Sequence, residues 1–272
     1  LYEPANEAFL GNNEDEDQPL INRAIEGDLY HPGSVFKLVV AAAALESGRY
    51  TVASSFPNPA SYLLPGTATE IQNSGDKKCG PGDTVTLEVA LIRSCNIPFA
   101  ALAVSLGQDR IRAQAALMGF GADLSIPMTV TPSIYPEALD EAQTALTGFG
   151  QFDVRVTPLQ MAMISAAIAN QGVMMQPQIV RMVVASNLNV LLDPQPRVLS
   201  APMSRLTAGY LTRMMVDSVE IGVAKRAGIP GFAVAGKTGT AENGPLDPYT
   251  LWFTGFAPCL LYTSDAADEE DS

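Results

Sequence analysis

Pro32-Gly33-Ser34-Val35-Phe36-Lys37-Leu38-Val39-Val40-Ala41-Ala42-Ala43-Ala44-Leu45-Glu46 reads as a helix punctuated at both ends, by proline before its first turn and by Gly48 just beyond its last. Residues three apart lie on one helical face, so the Lys37 amine can reach the Ser34 hydroxyl. The rest of the run is almost wholly apolar. A lysine in such a helix is partly desolvated, which lowers its pKa and raises the fraction of neutral amine able to accept a proton. Ser34 falls in the first turn, where free backbone N–H groups and the positive dipole end favour a developing oxyanion. The pair is a serine nucleophile with its own base, and it needs no histidine. An ordinary first-turn serine followed by an exposed lysine is the plainer alternative that this one motif leaves open.

Two further stretches follow in order. Ser94-Cys95-Asn96 lies between helical patterns at 86–93, with Thr86 as N-cap and Glu88 in the first turn, and at 98–106. A tight turn there points Ser94 and Asn96 the same way, giving a hydroxyl that relays a proton and an amide that orients a lysine and a substrate amide. Lys237-Thr238-Gly239-Thr240 continues the strand-like stretch 231–236, and another strand-like stretch covers 249–256. The turn-rich Asn243-Gly244-Pro245-Leu246-Asp247-Pro248 joins them as a hairpin. A strand with a lysine, two hydroxyls and a glycine lets an extended peptide lie alongside while ammonium and hydroxyls hold a terminal carboxylate. Taken singly, a helix connector and a hairpin with surface Thr and Lys account for these two stretches as well. A second Ser-x-x-Lys, Ser74-Gly75-Asp76-Lys77, lies in a Gly-rich, helix-poor stretch and reads as coincidence.

The three motifs, in this order and with about 200 residues between first and third, resemble the transpeptidase domain of penicillin-binding proteins. The likeness is to the monofunctional class B branch, of the actinobacterial penicillin-binding protein A type. It extends to Pro19-Leu20-Ile21-Asn22-Arg23-Ala24, Gly150-Gln151, Val156-Thr157-Pro158-Leu159-Gln160, Ile168-Ala169-Asn170-Gln171-Gly172 and Thr240-Ala241-Glu242. The resemblance implies an α+β fold of the serine β-lactamase/transpeptidase type, an antiparallel sheet flanked by helices plus an all-α lobe. It implies that Ser34 attacks the D-Ala-D-Ala carbonyl of a peptidoglycan stem peptide, with Lys37 as base, Ser94 as proton relay and Asn96 as orienting amide. Lys237, Thr238, Gly239 and Thr240 would bind the substrate, and the backbone N–H groups of Ser34 and Thr240 would hold the oxyanion. An amine from a neighbouring stem then resolves the acyl-enzyme, with D-Ala-D-Ala carboxypeptidase activity as a side reaction. No cofactor and no metal are expected.

The same resemblance implies β-lactam antibiotics as covalent inhibitors, cell-wall or division machinery as partners, and a place at the extracytoplasmic face of the bacterial membrane through an N-terminal anchor. It also implies a strand before Leu1 and a strand and helix after Pro258, so that the sheet is incomplete here. Two rivals share the motifs. A serine β-lactamase needs a deacylating device and a shorter interval between the first and third motifs. A β-lactam sensor domain would be acylated without turning over stem peptides. Outside the cytoplasm, Cys79 and Cys95 form an even pair able to close a disulfide beside the second motif, worth roughly 3 kcal/mol by loop entropy. Two buried free thiols are the alternative.

Composition bounds the rest. The formal charge of −13 leaves no basic face for nucleic acid. His31 is the single histidine, which removes most zinc sites, and it reads as a helix-entry residue rather than a base. With 272 residues, 47% of them hydrophobic, the chain can bury one sizeable core, and nothing in it reads as a linker. Residues 1–258 are read as one domain. The tail 259–272, beginning Cys259-Leu260-Leu261-Tyr262-Thr263-Ser264, reads as translated sequencing-adapter DNA rather than native protein. Residues 12–17 read as an acidic loop, 157–170 as a helix opened by a capping box, and 200–222 as a long helix.

Overall fold

The computed structural model describes residues 21–75, 77–124, 126–244 and 247–258. The acidic stretch 12–17 and the tail 259–272 lie outside them. The apolar run opens as a 3₁₀ turn, Gly33–Phe36, and continues as α1, Lys37–Glu46. Four short strands follow: β1 (Ser55–Pro57), β2 (Ser61–Leu63), β3 (Glu70–Gln72) and β4 (Thr84–Thr86). The helical part comprises α2 (Leu87–Ile92), α3 (Ile97–Leu106), α4 (Gln108–Leu117), α5 (Glu141–Thr147) and α6 (Pro158–Ala169). Strands β5 (Met174–Met175), β6 (Val183–Val184), β7 (Val190–Leu192) and β8 (Val198–Ser200) lead to α7 (Arg205–Glu220) and to the hairpin of β9 (Ala235–Ala241) and β10 (Thr250–Phe256). Among the described residues the strands pair two by two, all antiparallel: β1 with β4, β2 with β3, β5 with β8, β6 with β7, and β9 with β10. The architecture is α+β, helices packed on short antiparallel sheets.

Helix α1 is the axis of the core. Residues 37–44 are all buried, surrounded by α2, α3, α4 and α7. Its four consecutive alanines add little bulk, so these neighbours close on it from several sides. Helices α6 and α7 then pack against the β9–β10 hairpin, as does the 3₁₀ turn that bears Ser34. The hairpin is tied to α6 from the inside: Thr254 Oγ1 donates to the Met161 carbonyl at 3.1 Å and lies 2.5 Å from Ser165 Oγ. The first and third sequence motifs are thereby pressed together through one layer of packing.

Most helices start where local sequence places them, with three departures. Thr86 and Thr157 accept from the backbone N–H of Val89 and Gln160, as N-caps do. The box at Thr157 is only half made, because the Gln160 side chain donates to the Met118 carbonyl, 2.6 Å away, instead of turning back to its own helix start. A reciprocal box does form at Asp140 and Gln143, which the sequence reading passed over. The helix expected over 200–222 begins only at Arg205, capped by Ser204, because Ser200 pairs with Met174 in β8.

Candidate active site

Ser34 and Lys37 meet through a 3₁₀ turn rather than an α-helical one. Three residues per turn stack positions i and i+3 directly. Lys37 Nζ accordingly donates to Ser34 Oγ at 2.8 Å, while its stem is fully buried at the head of α1. The turn can lie flat on the hairpin only because of two glycines. Gly33 has φ +53°, and a Cβ there would come within 2.6 Å of the Thr240 carbonyl. A Cβ on Gly239 would stand 2.9 Å from the Pro32 carbonyl and 3.1 Å from Val35 Cγ1. The side-chain-free surface of Gly239 is therefore filled by the nucleophile's own turn, and its backbone still lines the cleft.

The second motif closes over the same amine. Ser94 sits between α2 and α3 with φ 59°, a left-handed conformation costly for a residue with a Cβ. That turn aims three acceptors at Lys37 Nζ: the Ser94 carbonyl at 2.9 Å, Asn96 Oδ1 at 2.8 Å and, more distantly, Ser94 Oγ at 3.5 Å. Asn96 Nδ2 donates to the Gln72 carbonyl at 3.0 Å, which fixes which end of the amide faces the lysine.

From the third motif, Lys237 points inward. It is fully buried, and its Nζ donates to Ser94 Oγ at 2.7 Å and to the Thr238 carbonyl at 2.8 Å. Strand alternation explains this, since Lys237 and Gly239 share the packed face while Thr238 and Thr240 share the other. The motif predicts that Lys237 holds a carboxylate beside the two threonines. In the structure it stands behind Ser94, and Thr238, Gly239 and Thr240 line the open cleft without it. That cleft measures about 770 Å³ and is also lined by Ser34, Ser94 and Asn96.

The two lysines are electrostatically abnormal. Burial holds the Lys37 ammonium well below its ordinary pKa, and the nearby Lys237 charge lowers it further. Burial brings Lys237 down to about 7. Both shifts favour the neutral amine, and Ser94 Oγ is hydrogen-bonded between the two lysines.

The remaining candidates fall as follows. His31 faces away from the nucleophile: its Nε2 accepts from the Arg155 guanidinium and its carbonyl accepts from Trp252 Nε1 at 2.9 Å. Burial and Arg155 lower its pKa. Ser74 and Lys77 are both exposed, next to a turn where Gly75 has φ +84°. Cys79 and Cys95 are joined as a disulfide with Cα atoms 5.6 Å apart, directly under the second motif. β3 and the residue after it also contribute to the site, beyond the three motifs. Gln72 and Asn73 both bond the second motif, and the only available signal was an Asn-Ser-Gly turn cluster that names no partner.

Residues 2–259 match the family model described as the penicillin binding protein transpeptidase domain. The chain belongs to this family. Among relatives of the same family, peptidoglycan D,D-transpeptidase PbpA of Mycolicibacterium smegmatis is 38% identical over 252 residues, covering 90% of this chain and 50% of that protein. PbpA of Mycobacterium tuberculosis is 36% identical over 261 residues, covering 92% and 50%. The chain thus spans about half the length of the curated relatives it matches. Among solved structures, the ceftriaxone acyl-enzyme of M. tuberculosis penicillin-binding protein A superposes with a TM-score of 0.87 at 34% identity, covering 95% of this chain and 59% of that one. Its penicillin G acyl-enzyme gives 0.85 at the same identity, covering 93% and 57%.

Proposed function

We propose that this chain is the catalytic domain of a peptidoglycan D,D-transpeptidase that works through a Ser34 acyl-enzyme and is blocked covalently by β-lactams. The observation that carries the reading is the 2.8 Å contact between Ser34 Oγ and a fully buried Lys37 amine depressed well below its usual pKa. The family relationship, with relatives named peptidoglycan D,D-transpeptidase and neighbours solved as β-lactam acyl-enzymes, supports it.

The chemistry follows the geometry. Neutral Lys37 takes the Ser34 proton as Oγ attacks the carbonyl between two D-alanines. The negative oxygen is held by the backbone N–H groups of Ser34 and Thr240, carried by a turn and a strand in direct contact. Collapse breaks the peptide bond, and the departing amine takes a proton delivered through the Ser94 hydroxyl, which both lysines bond. The acyl group then passes to the amine of a second stem, whose proton returns through Lys37. Thr238 and Thr240 present hydroxyls to the substrate carboxylate, and the Lys237 charge acts from behind Ser94. Stem peptides of the wall, β-lactams and cell-wall or division machinery are the partners of this reading, with the whole protein anchored at the outer face of the membrane. Intact-mass and peptide mapping after incubation with penicillin test it. The adduct is expected on Ser34, lost in Ser34→Ala and retained in Ser74→Ala; an adduct on Ser74 overturns it.

A further inference from the structure

Helix α3 is capped by a residue that does not belong to it. Asn96 occupies its N-cap position, where an asparagine side chain ordinarily accepts from the backbone N–H groups of the first turn. Here the Asn96 side chain caps nothing. Its Oδ1 accepts from Lys37 Nζ and its Nδ2 donates to the Gln72 carbonyl. Two donors at the helix start are satisfied instead from the residue after β3: Asn73 Oδ1 accepts from the backbone N–H of Asn96 at 2.8 Å and of Ile97 at 3.1 Å. Asn73 is buried, and its own Nδ2 donates to the Lys77 carbonyl at 3.2 Å, which fixes the orientation of the amide.

We infer that Asn73 is a positioning residue for acyl transfer: by holding the backbone N–H groups of Asn96 and Ile97, it fixes the turn from which the Asn96 side chain reaches the Lys37 amine. Without the Asn73 oxygen, the Asn96 and Ile97 donors lose their acceptor, the second of them buried. The turn would then relax and carry Asn96 Oδ1 away from Lys37 Nζ. The segment that supplies Asn73 is held for this task. Asn58, itself buried, accepts from the Cys79 N–H at 2.8 Å and donates to the Gly82 carbonyl at 3.2 Å, and the Cys79–Cys95 bridge ties the far end of the same loop to the second motif. The inference rests on the proposed role of Ser34 and Lys37.

The test is a double-mutant cycle in the full protein, read as the rate of Ser34 acylation by a fluorescent penicillin against pH. Covalent labelling counts only folded sites. Asn73→Ala is expected to slow acylation about ten- to a hundredfold, the penalty of displacing a reacting group by a fraction of its working distance. It should also move the acid limb of the profile to lower pH, since the Lys37 ammonium loses an acceptor. Asn73→Asp keeps both acceptor bonds and is expected within about threefold of wild type. Combined with Asn96→Ala, Asn73→Ala should slow the rate less than about twofold further, because the side chain it serves is already gone. An Asn73→Ala rate and profile equal to wild type overturns the inference, as does an equal slowing in the Asn96→Ala background, which marks a merely structural role. A wild-type protein that never labels at Ser34 overturns the function reading and the inference with it.

Discussion

Two lysines share the Ser94 hydroxyl, and under the proposed mechanism their titration decides when Ser34 can be activated. Lys37 must be neutral to take a proton, so acylation should fall as pH drops through its depressed pKa. The Lys237 charge is the second cause of that depression, after burial. Lys237→Met keeps the volume and removes the charge, so the Lys37 pKa should rise and the acid limb of the acylation profile should move to higher pH. An unmoved limb would remove the coupling between the two amines. Lys37→Ala itself should slow acylation more than any other single change near Ser34 apart from loss of the serine, and a wild-type rate would strip Lys37 of its role as base. Under the proposed role of Thr240, Thr240→Val leaves the substrate carboxylate one hydroxyl short, an expected loss of about 1 to 3 kcal/mol in acylation efficiency measured as the second-order rate constant.

The elements bring the turn 33–36 and the strand β9 into backbone contact, and Gly239 is one of the two glycines on which that contact depends. In Gly239→Ala the new methyl meets the Pro32 carbonyl at 2.9 Å and Trp252 Cβ at 3.1 Å, so the turn must lift away from the strand. Acylation should drop at least tenfold, a much larger effect than on the thermal midpoint, because Ser34 moves relative to Thr240 while the core around α1 stays packed. A variant that melts early but labels at the wild-type rate would contradict this. The disulfide acts on the neighbouring element. Opening the 16-residue separation between Cys79 and Cys95 should cost about 3 kcal/mol in a denaturant titration with and without reductant. What the sequence made legible at this scale is local chemistry. The Ser34/Lys37 spacing, the caps Thr86 and Thr157 and the motif hairpin follow from residue types at fixed offsets. The inward turn of Lys237 depends on which face of β9 meets the core, and the cap from Asn73 depends on a long-range pairing of two loops. Neither is encoded within a window of sequence. The 3₁₀ opening of α1 was equally hidden, because i to i+3 proximity suits both helix types and only the fit against Thr240 chooses between them.

At the scale of the molecule, the active site opposes stability and the rest of the fold offsets it. Lys237 has a folded-state pKa of about 7 against 10.5 for an ordinary lysine, and Lys37 is displaced in the same direction. Between those two values the unfolded chain holds a proton that the folded chain has released, so stability rises with pH across that window. Below about 7 Lys237 is charged in both states, and the cost of burying its ammonium is fully present; above about 10.5 both states are neutral and the cost is gone. The chain carries a formal charge of −13, and its self-repulsion grows as protons leave, which works against the trend in the protein as a whole. Comparison with Lys237→Met cancels that background, since both proteins share it to within one charge. The stability of Lys237→Met relative to wild type, taken from urea midpoints, should therefore be greatest near pH 6 and should shrink steadily toward pH 10. A difference independent of pH would mean that Lys237 keeps its proton in the folded state, and with it that the charge behind Ser94 is permanent rather than shared.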